Sequence, residues 1–375
     1  MKSFVCGGIW AGPGSGVLPQ SRISISGKRI MDISPSADVH SHLFVIPAFV
    51  DAHCHFCWSG LQSLYLDIAG IVSAADLLDL VSSSIDSEGT GGILRGFGYD
   101  CSSWNHPVLP SLAELDRATG NRPVFLRRVC CHEALANSAM IDMLPPECAG
   151  LDYSTGIIKE GIVFDFESLF PPEPHILDQA CSIATELAYS SGVTAICTFE
   201  SLLTTEILLK INPSIRMSIC LFGKDAGFLG ESPRCPEGII SGIDGLKFFL
   251  DGSFGASTAA VSGSYSDGTV TEPLLSDEEV LRSLEFADSL GLIAVYHAIG
   301  GRALAQIDRV SHDFRMNNDG KDPVALRIEH AEELNADWLG GWDHAVHSFV
   351  MQPNFVNRWQ IKGGLYQENL DRKEH

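Results

Sequence analysis

The sequence predicts an α/β chain of the (β/α)8 TIM-type barrel class behind a small N-terminal β element, and three observations carry that expectation. From about residue 46 onward, apolar runs of strand length alternate with helix-sized stretches, as βα units around a parallel sheet require. The later runs begin 31 (215 to 246), 46 (246 to 292), 33 (292 to 325) and 23 (325 to 348) residues apart, near the roughly 30 per repeat of such a barrel. Unusual polar residues cluster at the carboxyl ends of these runs, where barrels and open α/β sheets hold their ligands. The length of 375 residues admits two or three domains at roughly 150 each, or one large barrel with an appendage.

Composition excludes other classes. Hydrophobic residues make up 45% and charged residues 19%, which removes disorder, collagen-like repeats and coiled coils as descriptions of the whole chain. Twenty-five Lys and Arg against 47 Asp and Glu leave a formal charge of −22, a poor match for nucleic acid or anionic lipid. No apolar run reaches the roughly 20 residues of a membrane span, and glycines break the N-terminus before a signal-peptide core develops. The expectation is a cytoplasmic protein whose 11 cysteines are reduced thiols.

Residues 1–45 hold short β-prone pieces, of which Ser21–Ile30 alternates polar and apolar around a glycine turn. The expected strands are Ile46–His53, Val124–Val129, Val193–Phe199, Ile215–Phe222, Leu246–Asp251, Leu292–His297, Ala325–His330 and Ser348–Gln352. Residues 62–180 do not keep the spacing. A helical-looking Ala74–Ser84, a Trp/Gly/Pro-rich loop over Gly96–Pro110 and the Pro-rich Phe170–Pro174 read as an insertion after the first barrel strand. Val124–Val129 belongs to it.

The strongest chemical signal is Val50-Asp51-Ala52-His53-Cys54-His55. Residues two apart on a strand face one side, so His53 and His55 can converge on one cation through neutral imidazoles. The overlapping Cys54-x-x-Cys57 lacks the second pair of a zinc ribbon and reads as packing thiols. Lys247 stands alone in the apolar run Leu246-Lys247-Phe248-Phe249-Leu250-Asp251. A buried ammonium loses its proton, finds a carboxylate or is modified, and a neutral amine can take up carbon dioxide to form a carbamate ligand. His297 and His330 end two further apolar runs. Glu329 is expected on the other side of a regular strand from His330, in packing or in support of a ligand.

Together with Gly96-Phe97-Gly98-Tyr99-Asp100, Arg122–Val129, Gly192-Val193-Thr194-Ala195, Asp251-Gly252-Ser253, His297-Ala298-Ile299-Gly300, Arg327–Ala331 and Gln352-Pro353, these motifs resemble the metal-dependent amidohydrolase superfamily, and within it the amidohydrolase 3 (YtcJ-like) group. The resemblance implies a metal-loaded barrel with a small β-sandwich built from both termini, the segment 1–45 being its N-terminal part and 46–375 the barrel. It implies His53, His55, Lys247, His297 and His330 as metal ligands, with Lys247 carboxylated, and Lys247, His297 and His330 as catalytic residues. One or two divalent ions, most simply zinc, would activate water to hydroxide and polarise an amide-like carbonyl. His132, Ser253 and Arg302 are candidate substrate contacts. The substrate is a small amide-like molecule and a homodimer is the candidate assembly.

The family's aspartate after strand eight has no counterpart in an apolar strand here. After Gln352-Pro353 the chain runs to the polar Gln367–His375, and Asp371 within it reads as a solvated position. Only seven barrel strands fit, so the sequence reads as a barrel lacking its last strand. The alternatives are a deaminase of the same superfamily, which the lysine disfavours, and a non-catalytic or truncated metal-binding remnant.

Overall fold

The computed structural model describes residues 1–37, 42–87, 92–146, 148–227, 237–317, 325–334, 347–360 and 366. Backbone contacts divide the chain into two units, 1–51 with 188–195 and 52–187 with 196–375.

In the first unit, β1 (Lys2–Trp10), β2 (Val17–Ser26), β3 (Arg29–Pro35) and β4 (Phe44–Val45) form one sheet in the order β3-β2-β1-β4. The alternation read in Ser21–Ile30 becomes the β2–β3 hairpin, turning at Gly27, whose φ of +59° suits a residue without Cβ. Cys6 and Ile9 of β1 and Ile23 of β2 are buried together against Ile25 and Val45. The second layer of the expected sandwich is not among the described residues.

The second unit carries a nearly closed barrel of seven parallel strands: β5 (Phe49–Cys54) and, after the inserted sheet, β11 (Val193–Glu200), the first residues of both falling in the other unit, then β12 (Arg216–Phe222), β13 (Gly245–Phe249), β14 (Ile293–Ala298), β15 (Leu326–His330) and β16 (His347–Val350). The order is β16-β15-β14-β13-β12-β11-β5. In a flat sheet five steps would separate β5 from β15 by about 24 Å. Instead His53 Nδ1 lies 2.5 Å from Glu329 Oε2, and Arg327 donates to the Ala52 carbonyl. The sheet has therefore curled until its first and sixth strands exchange side-chain contacts. The expected barrel strands all form, with ends moved by a few residues. The apolar runs supply the core, including Leu246, Phe248, Ala294, Val295 and Ile328.

Between β5 and β11 lies a separate sheet of β6 (Leu66–Asp67), β7 (Leu94–Tyr99), β8 (Val124–Arg128), β9 (Glu133–Ala136) and β10 (Ile157–Lys159), ordered β10-β9-β8-β7-β6. The run expected at Val124–Val129 is its central strand. The loop expected over Gly96–Pro110 is corrected in its first part, because Leu94–Tyr99 is a buried strand. Its glycines serve close packing there: a Cβ on Gly96 would sit 2.8 Å from the Leu126 side chain. Leu94, Tyr99, Val124, Leu126 and Leu135 form the core of this sheet with Leu77 and Val81 of the helix Ala74–Ser87.

Candidate active site

A cavity of about 370 Å³ opens at the carboxyl ends of the barrel strands, and His53, His55, His132, Lys247, Ser253, His297 and His330 all line it. β5 presents His53 near its end, and His55 follows at the N-cap of the helix Phe56–Gln62. Their ring centroids are 5.6 Å apart. His330 closes the arc, 4.7 Å from the His53 ring and 4.5 Å from that of His297, while His132 reaches within 5.5 Å of His297 from beside β9. The geometry thus gathers residues spread from position 53 to 330. Arg302 is not among the residues lining the cavity, and its guanidinium pairs with Glu272 from the start of the helix Gly301–Asn317.

Neighbouring groups fix these rings. Nδ1 of His55 donates to the Phe199 carbonyl at 3.2 Å, and Nε2 of His297 to the Gly252 carbonyl at 2.9 Å. Nδ1 of His330 pairs with Gln352 Oε1 at 2.7 Å. Each ring thereby spends one nitrogen outward and keeps the other, which is how imidazoles are oriented for ligation. His53 is held by Glu329, which Arg327 also engages. Glu329 and His330 both reach His53 because the strand is not regular at its end: His330 and Ala331 have φ of 74° and 48°. The left-handed turn brings adjacent residues onto one neighbour, which a period-two reading does not foresee.

Electrostatics separate this cluster from ordinary core. Burial, then the nearby Lys247, pushes the imidazole of His55 down to about 4. Burial likewise holds His53, His297 and His330 well below the usual histidine range. Neutral imidazole is the form that binds cations. Lys247 is 2% exposed, its Nζ has no hydrogen-bond partner among the described residues, and burial lowers it to about 8. The amine lies 4.4 Å from the Phe199 ring centre. Asp251, also fully buried, accepts backbone N–H groups of Ala260, Ile299 and Gly300, yet burial raises it to about 7.

The polar group is set in an aromatic wall that sequence reading did not single out: Trp58, Phe164, Phe199, Phe222, Phe249 and Phe254. Nor did it find the Arg127–Glu167 pair at 2.9 Å, whose guanidinium stacks over Trp58 at 4.0 Å. These residues carry no local motif and meet only through the fold. The Cys54-x-x-Cys57 pattern is packing: Cys57 Sγ is 3.6 Å from Cys181 Sγ and Cys54 donates to the Cys197 carbonyl. Among the described residues no group of three or more His, Cys, Asp or Glu is already gathered tightly enough to hold a metal ion. Asp371 lies outside the described residues.

Residues 42–339 match the family model described as the amidohydrolase family. The putative amidohydrolase YtcJ of Bacillus subtilis is 23% identical over 341 residues, covering 83% of this chain and 63% of that protein. The protein LONG AFTER FAR-RED 3 of Arabidopsis thaliana is 25% identical over 77% of this chain and 55% of its own length. The chain thus spans roughly three fifths of the length of these curated relatives. A solved structure described as an uncharacterized metal-dependent hydrolase from Pyrococcus furiosus superposes with a TM-score of 0.69 at 25% identity, over 99% of this chain and 80% of that one. With the family model matching most of its length and the barrel carrying the motifs in order, the chain belongs to the amidohydrolase family.

Proposed function

We propose that this chain is a metal-dependent hydrolase of carbon–nitrogen bonds in non-peptide, amide-type molecules, with His53, His55, His297, His330 and Lys247 as the groups that hold a divalent metal, most simply zinc. One observation carries the reading: a buried lysine amine without a hydrogen-bond partner among the described residues stands amid four histidines that burial keeps neutral. An unpartnered buried amine is costly, and this donor set fits a cation that would relieve it. The rings of His53, His55, His297 and His330 meet edge-on or tilted, with centroids 4.5–5.6 Å apart. Kinship to an N-substituted formamide deformylase of Arthrobacter pascens, 28% identical over 27% of this chain and 19% of that protein, adds support for an amide-type bond.

A bound divalent ion supplies Lewis acidity, which lowers the pKa of water and polarises a carbonyl. The chain's own residues do the rest. Lys247, lowered to about 8 by burial, has at neutral pH a neutral fraction able to attack carbon dioxide; as the N–C bond formed, one C=O π bond would open onto oxygen and the amine proton would pass to solvent, giving a carbamate able to hold a metal. Glu329 and Gln352 hold the His53 and His330 rings, and the Gly252 carbonyl holds His297. The aromatic wall excludes water and accepts an apolar substituent. His132 and Ser253 are the polar contacts for substrate.

Metal content of the purified chain, measured together with turnover of an amide panel, tests the reading. Bound zinc with amide cleavage is the expected result; bound metal without any turnover would mark a non-catalytic metal-binding protein, and absence of metal affinity would remove the reading.

A further inference from the structure

Just before β9, the inserted region turns His132 into the cavity, and that side chain has its own supporting network. His132 follows Cys131, whose φ of 63° lies in the left-handed region, and its ring partner Glu160 has φ of 54°. Two non-glycine residues in that region cost backbone energy, and such conformations persist where the surroundings hold a side chain in place. The backbone already joins the two segments, because the Glu160 N–H donates to the His132 carbonyl at 2.9 Å. The second link, His132 Nδ1 to Glu160 Oε2 at 2.9 Å, is therefore not needed to pair β9 with β10. What it fixes is the ring.

The carboxylate is fixed in turn from the barrel side. Thr258 Oγ1 accepts the Ser253 N–H at 3.0 Å and donates its own proton to Glu160 Oε1. Gly252 makes room: a Cβ there would sit 2.1 Å from Thr258 Oγ1 and 2.5 Å from Glu160 Oε1. The same Gly252 offers its carbonyl to His297. In the neutral ring, donation from Nδ1 to Glu160 Oε2 leaves the lone pair on Nε2. Nε2 has no hydrogen-bond partner among the described residues and is not among the buried unsatisfied atoms, on a residue that lines the cavity.

We infer that His132 Nε2, oriented by the positioning residues Glu160 and Thr258, is an acceptor for an N–H of the substrate, so that the cavity selects amides bearing an N–H over N,N-disubstituted ones. The inference rests on the amide-hydrolase reading and specifies its substrate class. A site built to hydrogen-bond a substrate N–H discriminates strongly against the analogue that lacks it, because the protein group is then left unpaired. The aromatic wall makes a benzyl substituent a suitable common anchor for comparing the two classes.

The test uses the full zinc-loaded chain and two matched pairs, N-benzylacetamide with N-benzyl-N-methylacetamide, and N-butylacetamide with N-butyl-N-methylacetamide. Equilibrium binding by calorimetry is measured alongside 15N NMR of the histidine rings, assigned with His132→Asn. Wild type is expected to show the Nδ1–H tautomer at His132 and to bind the secondary amides about tenfold or more tightly than the tertiary ones. In Glu160→Gln, Thr258 keeps the side-chain carbonyl and the amide NH2 faces Nδ1, so the proton moves to Nε2. The preference is expected to vanish, with tertiary-amide affinity unchanged. Thr258→Val, a smaller change, is expected to weaken the preference in the same direction. Equal binding of both classes by wild type, an Nε2–H tautomer in wild type, or a preference that survives Glu160→Gln overturns the inference and leaves the hydrolase reading intact. Binding of neither class overturns both.

Discussion

The barrel's strand ends and the inserted sheet both bury charge, and they treat it in opposite ways. On β8, Arg127 and Arg128 are 4% and 7% exposed, yet each is matched. Arg127 pairs with Glu167 at 2.9 Å, and Arg128 lies 3.3 Å from Asp100 and 3.5 Å from Glu133. Burial works against the Arg128 charge, but Glu133, Asp100 and the neighbouring thiols raise its pKa on balance. On β13, Lys247 is buried as deeply and has no hydrogen-bonding partner among the described residues; burial dominates and lowers it. A matched buried charge is part of the architecture, whereas an unmatched one among neutral histidines marks where a ligand is due.

Lys247→Met would break that contrast with the largest effect. Amide turnover is expected to fall by about 10³-fold or more, as when a group that stabilises developing charge is removed. The ion-free chain is expected to gain roughly 1–3 kcal/mol, because an apolar side chain of similar length replaces a buried unpartnered amine. Steady-state kinetics and urea unfolding read the two effects; loss of stability with turnover retained would make Lys247 a structural residue.

The matched region should respond in the reverse sense. Glu133→Ala leaves Arg128 buried with Asp100 as its remaining carboxylate and removes the acceptor of the Tyr99 hydroxyl, which lies 3.3 Å away. The expected cost is about 3 kcal/mol, the lower end for breaking a buried pair, while zinc affinity changes little. Urea midpoints and competitive chelation check this, and a variant as stable as wild type would show that the pairing on β8 contributes no net stability.

How far each region could be read from sequence follows from the same contrast. Strand ends were legible because a polar residue closing an apolar run stands out, which is how His53, His297 and His330 drew notice, whereas Lys247 stood out as a lone charge inside such a run. The inserted sheet gave only Val124–Val129 as a strand, since its shortest strands hold two or three residues and Gly96 resembles a loop former. Arg127 and Glu167 are 40 positions apart, and Glu160 and Thr258 are 98 apart; no local pattern announces such partners. Arg302, a candidate contact by sequence, instead pairs with Glu272, 30 positions away, a partner that no local pattern announces.

Acid should separate the regions by a smaller, graded effect. Burial lowers His55 from 6.5 to about 4, and His53, His297 and His330 move the same way. The unfolded chain therefore takes up protons that the folded chain refuses as pH drops below about 6.5. Stability of the ion-free chain is fully present above that value and is lost as pH falls toward 4, by about 1.4 kcal/mol per pH unit for each such histidine. Unfolding measured between pH 7 and 5 should show the slope, and His55→Gln should reduce it. Asp251, raised to about 7 by burial, contributes in the opposite sense in both proteins, so the difference between the two profiles is the readout: a His55→Gln slope equal to that of wild type would mean the His55 ring is not kept neutral by burial.

The smallest effect belongs to Arg302, which tests the edge of the site. Its pairing with Glu272 is partly solvated, the two side chains being 32% and 71% exposed, and exposed pairs of this kind contribute about 0–1 kcal/mol. Arg302→Ala should change stability by less than about 1 kcal/mol and leave KM and kcat for an amide substrate as they were. The value of so small an effect is its location. Arg302 N–H bonds the Ala260 carbonyl, on the loop that also carries Thr258 and follows β13, so a rise in KM on removing only the side chain would place the guanidinium within reach of bound substrate. The boundary of the cavity would then extend past the aromatic wall to the helix Gly301–Asn317.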